Sequence, residues 1–423
     1  MSMVKSTILL VTAVGMLSFH GAAFAPAASA AETIKLGLIE PFSGPVAAVG
    51  RDTLEGYEFQ ADRINRRGGV LGGRMIEIVP LDNAMSAEKT TQQLKKAVDL
   101  GLRYISQGVG SNHALNIIKF LGKHNKRNPD KAILYFNHSA VTTAFTNELC
   151  SFWHFRFDAN VDMKVAALVT QINRDPNVKK VYMLNQNYAY GKSFQAAARR
   201  LLKERAKQVE LVGDELIVPF GKVQDFTPYI AKIKASGADT ILTGNWGADI
   251  VRFVKAAEGA GLGVPFYTIY GGLTSSIAGY GADAKTVNLK QVTEMHSNME
   301  LPRDLVEQMD AFLAKYKDEW YADRLRWLFE MWAAALDKAG TDDPVAVGKA
   351  LEGMTFQGPI EKVRMRGDDH QIQFPMVISS LTTTYKRPVI YAGRDFGVAF
   401  RTDGIASREE LTLPTTCKMK RPR

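Results

Sequence analysis

Residues 102–122 read LRYISQGVGSNHALNIIKFLG. Leu102 to Ser106 has the composition of a short strand, Gly108 and Gly110 make a turn, and a helix opens near Asn112. The helix rests on spacing: Leu115, Ile118 and Leu121 recur every third residue, and Ile117 widens the apolar stripe. Ser111 and Asn112 are residue types that suit the N-cap. Glycines at 108 and 110 let the backbone come close to a ligand. The unpaired N–H groups of the first helical turn, backed by the helix dipole, make an anion site. The turn is therefore expected to hold a carboxylate or similar polar group of a small ligand. A purely structural turn is the alternative, and the rest of the chain decides. The stretch also approaches the dinucleotide fingerprint GxGxxG. His113 stands at the third glycine, however, and no ribose-binding acid follows at the usual distance, which argues against NAD.

The first thirty residues carry a different pattern. Lys5 precedes an apolar run from Ile8 to Phe19 that is too short to span a membrane, and Ala28-Ser29-Ala30 is a small-residue cleavage site. The expected product is a soluble periplasmic protein that begins at Ala31 or Glu32. No cysteine follows the apolar run, so no lipid anchor is expected. No later run reaches 18 uninterrupted apolar residues. The remaining length, about 390 residues, exceeds one ordinary core and predicts two domains. Hydrophobic content of 46% and charged content of 23% are those of a folded globular chain. The net charge of +9 is spread without any Lys/Arg block, unlike a nucleic-acid footprint. Two cysteines, Cys150 and Cys417, in an oxidising compartment predict one disulfide, with two unpaired thiols as the alternative. Neither HExxH nor CxxC is present, so no metal site is expected.

Along the chain, strand 33–39 leads to Glu40-Pro41-Phe42-Ser43-Gly44. Helix 49–66 carries Leu54, Tyr57, Phe59, Ala61 and Ile64 and stops at Gly68-Gly69. Strand 75–81, helix 86–100 capped by Ser86, the quoted strand–turn–helix and strand 132–136 follow. The alternation then restarts with strand 178–184, helix 192–206, strand 211–218, helix 226–236, strand 238–243, helix 248–260 and strand 266–270. Such alternation predicts parallel, doubly wound sheets, and its repetition predicts two similar lobes. Ligands of such sheets sit off the carboxyl ends of the strands. Those ends, at 42–44, 108–112, 137–140, 188–191, 244–246 and 270–272, are rich in Gly, Ser, Asn, Tyr and Trp. They suit hydrogen bonding and aromatic contact and offer little acid–base chemistry. Residues 303–317, 323–339 and 344–352 read as helices and 371–380 and 388–392 as strands. The tail 405–423 is basic and weakly patterned. His113, His138, Trp327 and Trp332 read as structural.

Several segments together resemble the branched-chain amino-acid type of ABC-transporter substrate-binding protein. They are IKLGLIEPFSGPVAAVG (34–50), DRINRRGGVLGGRMIEIVPLDNA (62–84), NYAYGKSF (187–194), TPYIAKIKASGADTILTGN (227–245) and ALDKAGTDDPVAVGKALEGMTFQGP (335–359). Asp369-His370-Gln371 resembles the family's late crossover. The resemblance implies the α/β type I periplasmic-binding-protein fold, with two Rossmann-like lobes built on parallel sheets and joined by three crossover strands. The lobes would be 31–157 plus 295–369, and 158–294 plus 370–423 with the tail. It implies a monomer that closes on one small ligand and serves a membrane permease and its ATPase, without cofactor or nucleic acid.

Carried over by position, Ser111 with Asn112 would receive the ligand carboxylate. Asn137, Ser139 and Ala140 fall in a second binding segment of the same lobe. Tyr190 would reach across from the other lobe, and Asn245 and Trp246 occupy its next loop. Tyr270 stands about where an amino-acid binder often has an acid for the ligand ammonium, a departure that counts against an α-amino acid. Amino acids, aromatic carboxylates and short amides stay open as ligands. An enzyme on a similar fold is disfavoured by the absence of GxSxG, a metal pair or a complete cofactor fingerprint. A ligand-sensing receptor module would need an output domain or anchor.

Overall fold

Five parallel strands form the first sheet: β1 (Ile34–Glu40), β2 (Ile76–Asp82), β3 (Tyr104–Gln107), β4 (Leu134–Asn137) and β5 (His154–Arg156). Helices α1 (Ala47–Arg66), α2 (Ala87–Asp99) and α3 (Ser111–Arg127) connect its first four strands. After α4 (Val161–Arg174), the chain repeats the plan with β6 (Lys180–Gln186), α5 (Ala189–Arg205), β7 (Glu210–Ile217), α6 (Thr227–Ser236) and β8 (Thr240–Thr243). Next come α7 (Ala248–Gly259), β9 (Phe266–Thr268), α8 (Thr274–Tyr280) and β10 (Leu289–Thr293). The structure, a computed structural model, describes residues 3, 32–219, 221–319 and 322–422. Apart from residue 3, the expected export signal lies outside the described residues.

The first sheet runs β2-β1-β3-β4-β5, and the second contains β10-β9-β8-β6-β7, which is the same order one repeat later. In this order the chain winds outward in opposite directions from one point in each sheet, between β1 and β3 and between β6 and β8. That switch point opens a crevice at the strands' carboxyl ends. The inner strands of both sheets are covered on two faces. Every residue of β3, β4 and β8 is buried.

The third section packs back on the first sheet. It comprises α9 (Arg303–Tyr316), α10 (Asp323–Ala339), α11 (Pro344–Leu351) and a small sheet of β11 (Thr355–Gln357), β12 (Lys362–Met365) and β13 (Ile372–Gln373). Trp332 of α10 lies 5.0 Å from Tyr104 and 5.6 Å from Phe136, ring to ring, and Trp327 Nε1 donates to Phe157 O at 3.1 Å. Both tryptophans are core, as their spacing predicts. The expected strand 371–380 is divided at Pro375 into β13 and β14 (Met376–Thr382). Of 388–392, only β15 (Ile390–Tyr391) is extended, in a hairpin with β16 (Arg394–Asp395). β14 pairs antiparallel with β10, and β17 (Ala399–Ala406) antiparallel with β14, so the second sheet is mixed rather than wholly parallel.

Before its tail, the chain passes between the sheets three times among the described residues, after β5, after β10 and before β14. Arg156 ties the first passage to the third. Its backbone N–H donates to His370 O at 2.9 Å, its Nε to Gln371 Oε1 at 2.8 Å and its Nη1 to Thr142 O at 2.7 Å. After the short helix α12 (Arg408–Leu411), the tail returns to the first sheet's side. Thr415 Oγ1 donates to Thr146 O, Arg421 pairs with Glu352, and Cys417 is disulfide-bonded to Cys150 with Cα atoms 5.7 Å apart.

The turn after β3 is held from behind. Gly110, with φ of 91°, is the N-cap of α3, so neither Ser111 nor Asn112 caps it. A Cβ on Gly108 would come within 2.5 Å of His138 Nε2 and closer still to Ser139 Oγ, so only glycine fits. The side chain of Glu40, at the end of β1, is fully buried under the turn. It accepts the N–H of Gly108 at 2.6 Å and of Val109 at 3.2 Å. Burial pushes its pKa up to about 8, although those two N–H bonds pull it down. Beside it, burial holds the His138 imidazole well below its usual range. Ser106 Oγ donates to Phe136 O at 2.7 Å, which leaves Tyr57 to donate to Ser106 at 2.5 Å and His138 Nδ1 to donate to Tyr57 at 3.0 Å. His138 Nε2 then carries the lone pair; it lies 3.4 Å from Glu40 Oε1 and has no hydrogen-bond partner among the described residues.

Two predictions follow from these features. Folded Glu40 keeps a proton that the unfolded carboxyl loses near pH 4.5, so its contribution to stability declines as pH rises from about 4.5 to 8. Glu40→Gln, compared with wild type by chemical denaturation at pH 5, 6, 7 and 8, should reduce that decline. A remainder is expected from Asp52, which burial raises to about 7. The Cys150–Cys417 bond closes a loop across a separation of 267 residues. The Cys150→Ser/Cys417→Ser double variant should lose roughly 2–4 kcal/mol of unfolding free energy.

Candidate functional site

Between the two switch points lies a pocket of about 410 Å³, mouth included. The first sheet's side supplies Val49 from the start of α1, residues 108–111 from the turn after β3, and Ser139 and Val141 from the segment after β4. The second sheet's side supplies Tyr188 and Tyr190 after β6, Trp246 after β8, and Tyr270 and Leu273 after β9. Each side thus reaches the pocket through the loops at its strands' carboxyl ends.

The polar end is the glycine turn. Glu40 draws the N–H groups of Gly108 and Val109 inward. The N–H groups of Gly110, Ser111 and Asn112 have no acceptor among the described residues. Ser111 is 2% exposed and lines the pocket, and its hydroxyl has no partner among the described residues; the Ser139 hydroxyl likewise has none. Successive N–H groups at a helix start beside two hydroxyls can hold a carboxylate.

The opposite end is aromatic. Tyr190 lies 5.7 Å from Tyr188 and 5.9 Å from Tyr270, centroid to centroid. Its hydroxyl donates to Gly244 O at 2.8 Å, so Tyr190 meets the pocket with its ring. Trp246 Nε1 donates to Tyr188 Oη at 2.7 Å, which fixes both rings. Burial raises both tyrosine pKa values, so these groups stay neutral. Tyr270 Oη reaches Ser139 O at 3.5 Å across the pocket mouth, and Lys164 Nζ sits 5.4 Å from the centre of the Tyr270 ring. Further contacts join the two sides: Thr143 N to Ser193 Oγ at 3.4 Å and Thr274 Oγ1 to Asp52 Oδ2 at 3.5 Å.

Of the residues singled out from sequence, Ser111, Ser139, Tyr190, Trp246 and Tyr270 meet here. Asn112 is exposed on α3 and does not line the pocket. Asn137 is buried, and its side chain is used by its own turn: Oδ1 accepts from Ala140 N at 2.7 Å, and Nδ2 donates to Ala140 O at 2.8 Å. That exchange also occupies the backbone of Ala140. Asn245 is buried behind the pocket wall, with both side-chain polar atoms unpaired among the described residues. Val49, Val109, Val141, Tyr188 and Leu273 were not singled out. Tyr188 belongs to the same NYAYG run as Tyr190; the aliphatic residues carry no signal that separates them from core. His113 bonds Thr90 at 2.9 Å and is structural.

A second cavity adjoins the first and shares the Tyr270 and Leu273 wall. It is lined by charged groups, among them Lys164, Glu294, Asp323 and Arg324. Lys164 pairs with Asp158 at 2.7 Å, Arg324 with Glu294, and Arg326 with Asp323 at 2.6 Å. Among the described residues no group of three or more His, Cys, Asp or Glu could hold a metal ion, and no helix is long and apolar enough to cross a membrane.

Comparison with known proteins places this architecture. The family model described as periplasmic binding protein matches residues 33–386. The chain is similar to Leu/Ile/Val-binding protein homolog 4 of Brucella melitensis, at 31% identity over 415 residues that cover 96% of each chain. Among solved structures it resembles the closed conformation of a leucine-, isoleucine-, valine-, threonine- and alanine-binding protein from Brucella ovis. The TM-score is 0.83 at 28% identity, over 93% of this chain and 100% of that one. An ABC-transporter solute-binding protein from R. palustris, solved with benzoate, shares the fold with a TM-score of 0.74 at 19% identity, over 89% and 96% of the two chains. With its two repeated sheets, its three crossovers and a match over most of its length, the chain belongs to the periplasmic binding protein family.

Proposed function

We propose that this protein is an extracytoplasmic solute-binding protein. It captures a small organic carboxylate or related polar ligand between two lobes by hinge closure and delivers it to an ABC-type permease and ATPase. It acts as a monomer and performs no chemistry on its ligand. The lobes are the expected 31–157 plus 295–369, and 158–294 plus 370–423, with two changes: β13 stays with the first lobe, and the tail from 412 is tied back onto it. The observation that carries this reading is the pocket's construction: hydrogen-bond donors from one switch point face aromatic rings from the other. A ligand that touches both sides favours the closed state because the open state makes only half of those contacts. The relationship to a Leu/Ile/Val-binding homolog supports solute capture, and the likeness to a closed relative supports hinge closure. Solved proteins of this fold hold ligands as different as benzoate, so fold alone does not choose the ligand.

A thermal-shift screen over amino acids, aliphatic and aromatic carboxylates and short amides should find a ligand, because binding to the folded state alone raises the melting temperature. For that ligand, Ser111→Ala should weaken binding by roughly 1–3 kcal/mol in calorimetry, the range for losing a hydrogen bond to a charged group. Tyr190→Ala should weaken binding and leave a larger radius of gyration in small-angle scattering with ligand present. Wild-type behaviour of both variants would move the site elsewhere. The exported protein should begin at Ala31 or Glu32, which N-terminal sequencing reads directly; retention of Met1 would contradict the export signal.

A further inference from the structure

We infer that the ligand is a monocarboxylate with an uncharged apolar or aromatic body, and that the pocket selects against an α-ammonium group. This rests on the solute-binding reading above. The carboxylate end is built: Ser111 is nearly fully buried, its hydroxyl is unpartnered among the described residues, and the N–H groups of the helix start lie beside it. Nothing comparable serves a cation. Among the described residues no carboxylate, ammonium, guanidinium or imidazole lines this pocket, and its remaining surface is aliphatic or aromatic apart from Ser139.

An ammonium has three donors and a full charge, and its burial without an acidic partner is strongly unfavourable. The acids Glu294 and Asp323 line the adjoining cavity, beyond the shared Tyr270 wall, and Arg324 and Arg326 already engage them. An aromatic cage can hold a cation through its ring faces. Here Lys164 already sits over Tyr270, so a ligand cation against that ring would meet a like charge. The same rings accept a neutral body without penalty. Glu40 under the turn is consistent with this: protonated, it places no negative charge behind the ligand anion.

The test is calorimetry on the full chain with matched probes: 4-methylpentanoate against L-leucine, 3-phenylpropanoate against L-phenylalanine, and trimethylglycine as the quaternary ammonium. The expected result is that the ammonium-free acid of at least one pair binds ten-fold or more tightly than its amino acid, and that trimethylglycine binds more weakly than that acid. Tyr270→Glu should narrow or reverse the ratio by supplying the missing partner; if that variant does not fold, the wild-type ratio decides alone. An amino acid or trimethylglycine that binds as tightly as the acids overturns the inference and leaves solute capture standing. No binding by any probe at millimolar concentration overturns the inference; the solute-binding reading falls only if the wider thermal-shift screen also finds no ligand.

Discussion

The site depends on where one buried carboxyl group sits. Glu40 ends the first strand, and its side chain lies under the turn between β3 and α3, taking two of that turn's N–H groups inward. The next N–H groups, from Gly110 to Asn112, are left for the pocket. A carboxylate in that position would repel the anion proposed for the turn, across a few ångströms of dry protein where charges are poorly screened. Burial resolves the conflict by favouring the neutral acid, and His138 beside it is likewise kept neutral by burial. The same crowding explains Gly108. His138 and Ser139 press against it from the neighbouring strand end, and the space a side chain would need does not exist.

The second sheet repeats the topology with opposite chemistry. Both sheets place their second strand on one side of the first and the third on the other, so each opens a crevice at the same relative position. In the first sheet the crevice is filled by glycine backbone and small hydroxyls; in the second it is filled by Tyr188, Tyr190 and Trp246. A small ligand is held when one face supplies oriented donors and the other supplies apolar area. Neither face buries a small molecule alone.

The strand–turn–helix grammar made most of this legible in the sequence. Periodicity located the alternating elements, and the loop composition at strand ends pointed to five pocket residues. What it missed has physical causes. Asn137 has the look of a ligand contact because its amide can bond in several directions, but its own turn at Ala140 uses those bonds. Asn112 follows Ser111 in the chain, but the helix turns it to solvent. Asn245 sits one residue before Trp246 and is buried behind the wall. Glu40 read only as the end of a strand, since burial and a shifted proton equilibrium arise from tertiary packing. β17, with Arg401, Thr402 and Asp403 at its centre, lacks the alternation that announces a strand, and it is held by pairing to β14.

Charge is distributed along the proposed axis of closure in a way that favours a hinge over a general loosening. Asp158 lies just past the first passage between the sheets and Glu294 just past the second. Arg324, on α10, pairs with Glu294 and approaches Asp158 Oδ2 to 3.8 Å. Gln371, in the third passage, bonds Arg156 and donates to Asp158 O at 2.7 Å. Separating such buried charges costs more than keeping them paired, so in the proposed closure the passages would hold together as the lobes move. Beside the pocket three contacts between the two sides are long, Tyr270 to Ser139 and Thr274 to Asp52 at 3.5 Å and Thr143 to Ser193 at 3.4 Å, while Ala392 N–H donates to Asp318 Oδ1 at 2.8 Å and Thr143 Oγ1 to Asp162 Oδ1 at 2.9 Å. The three long bonds contribute little and break readily. Under the proposed closure, a ligand's contacts with Ser111 and the aromatic wall would add to these bonds and so favour the closed state.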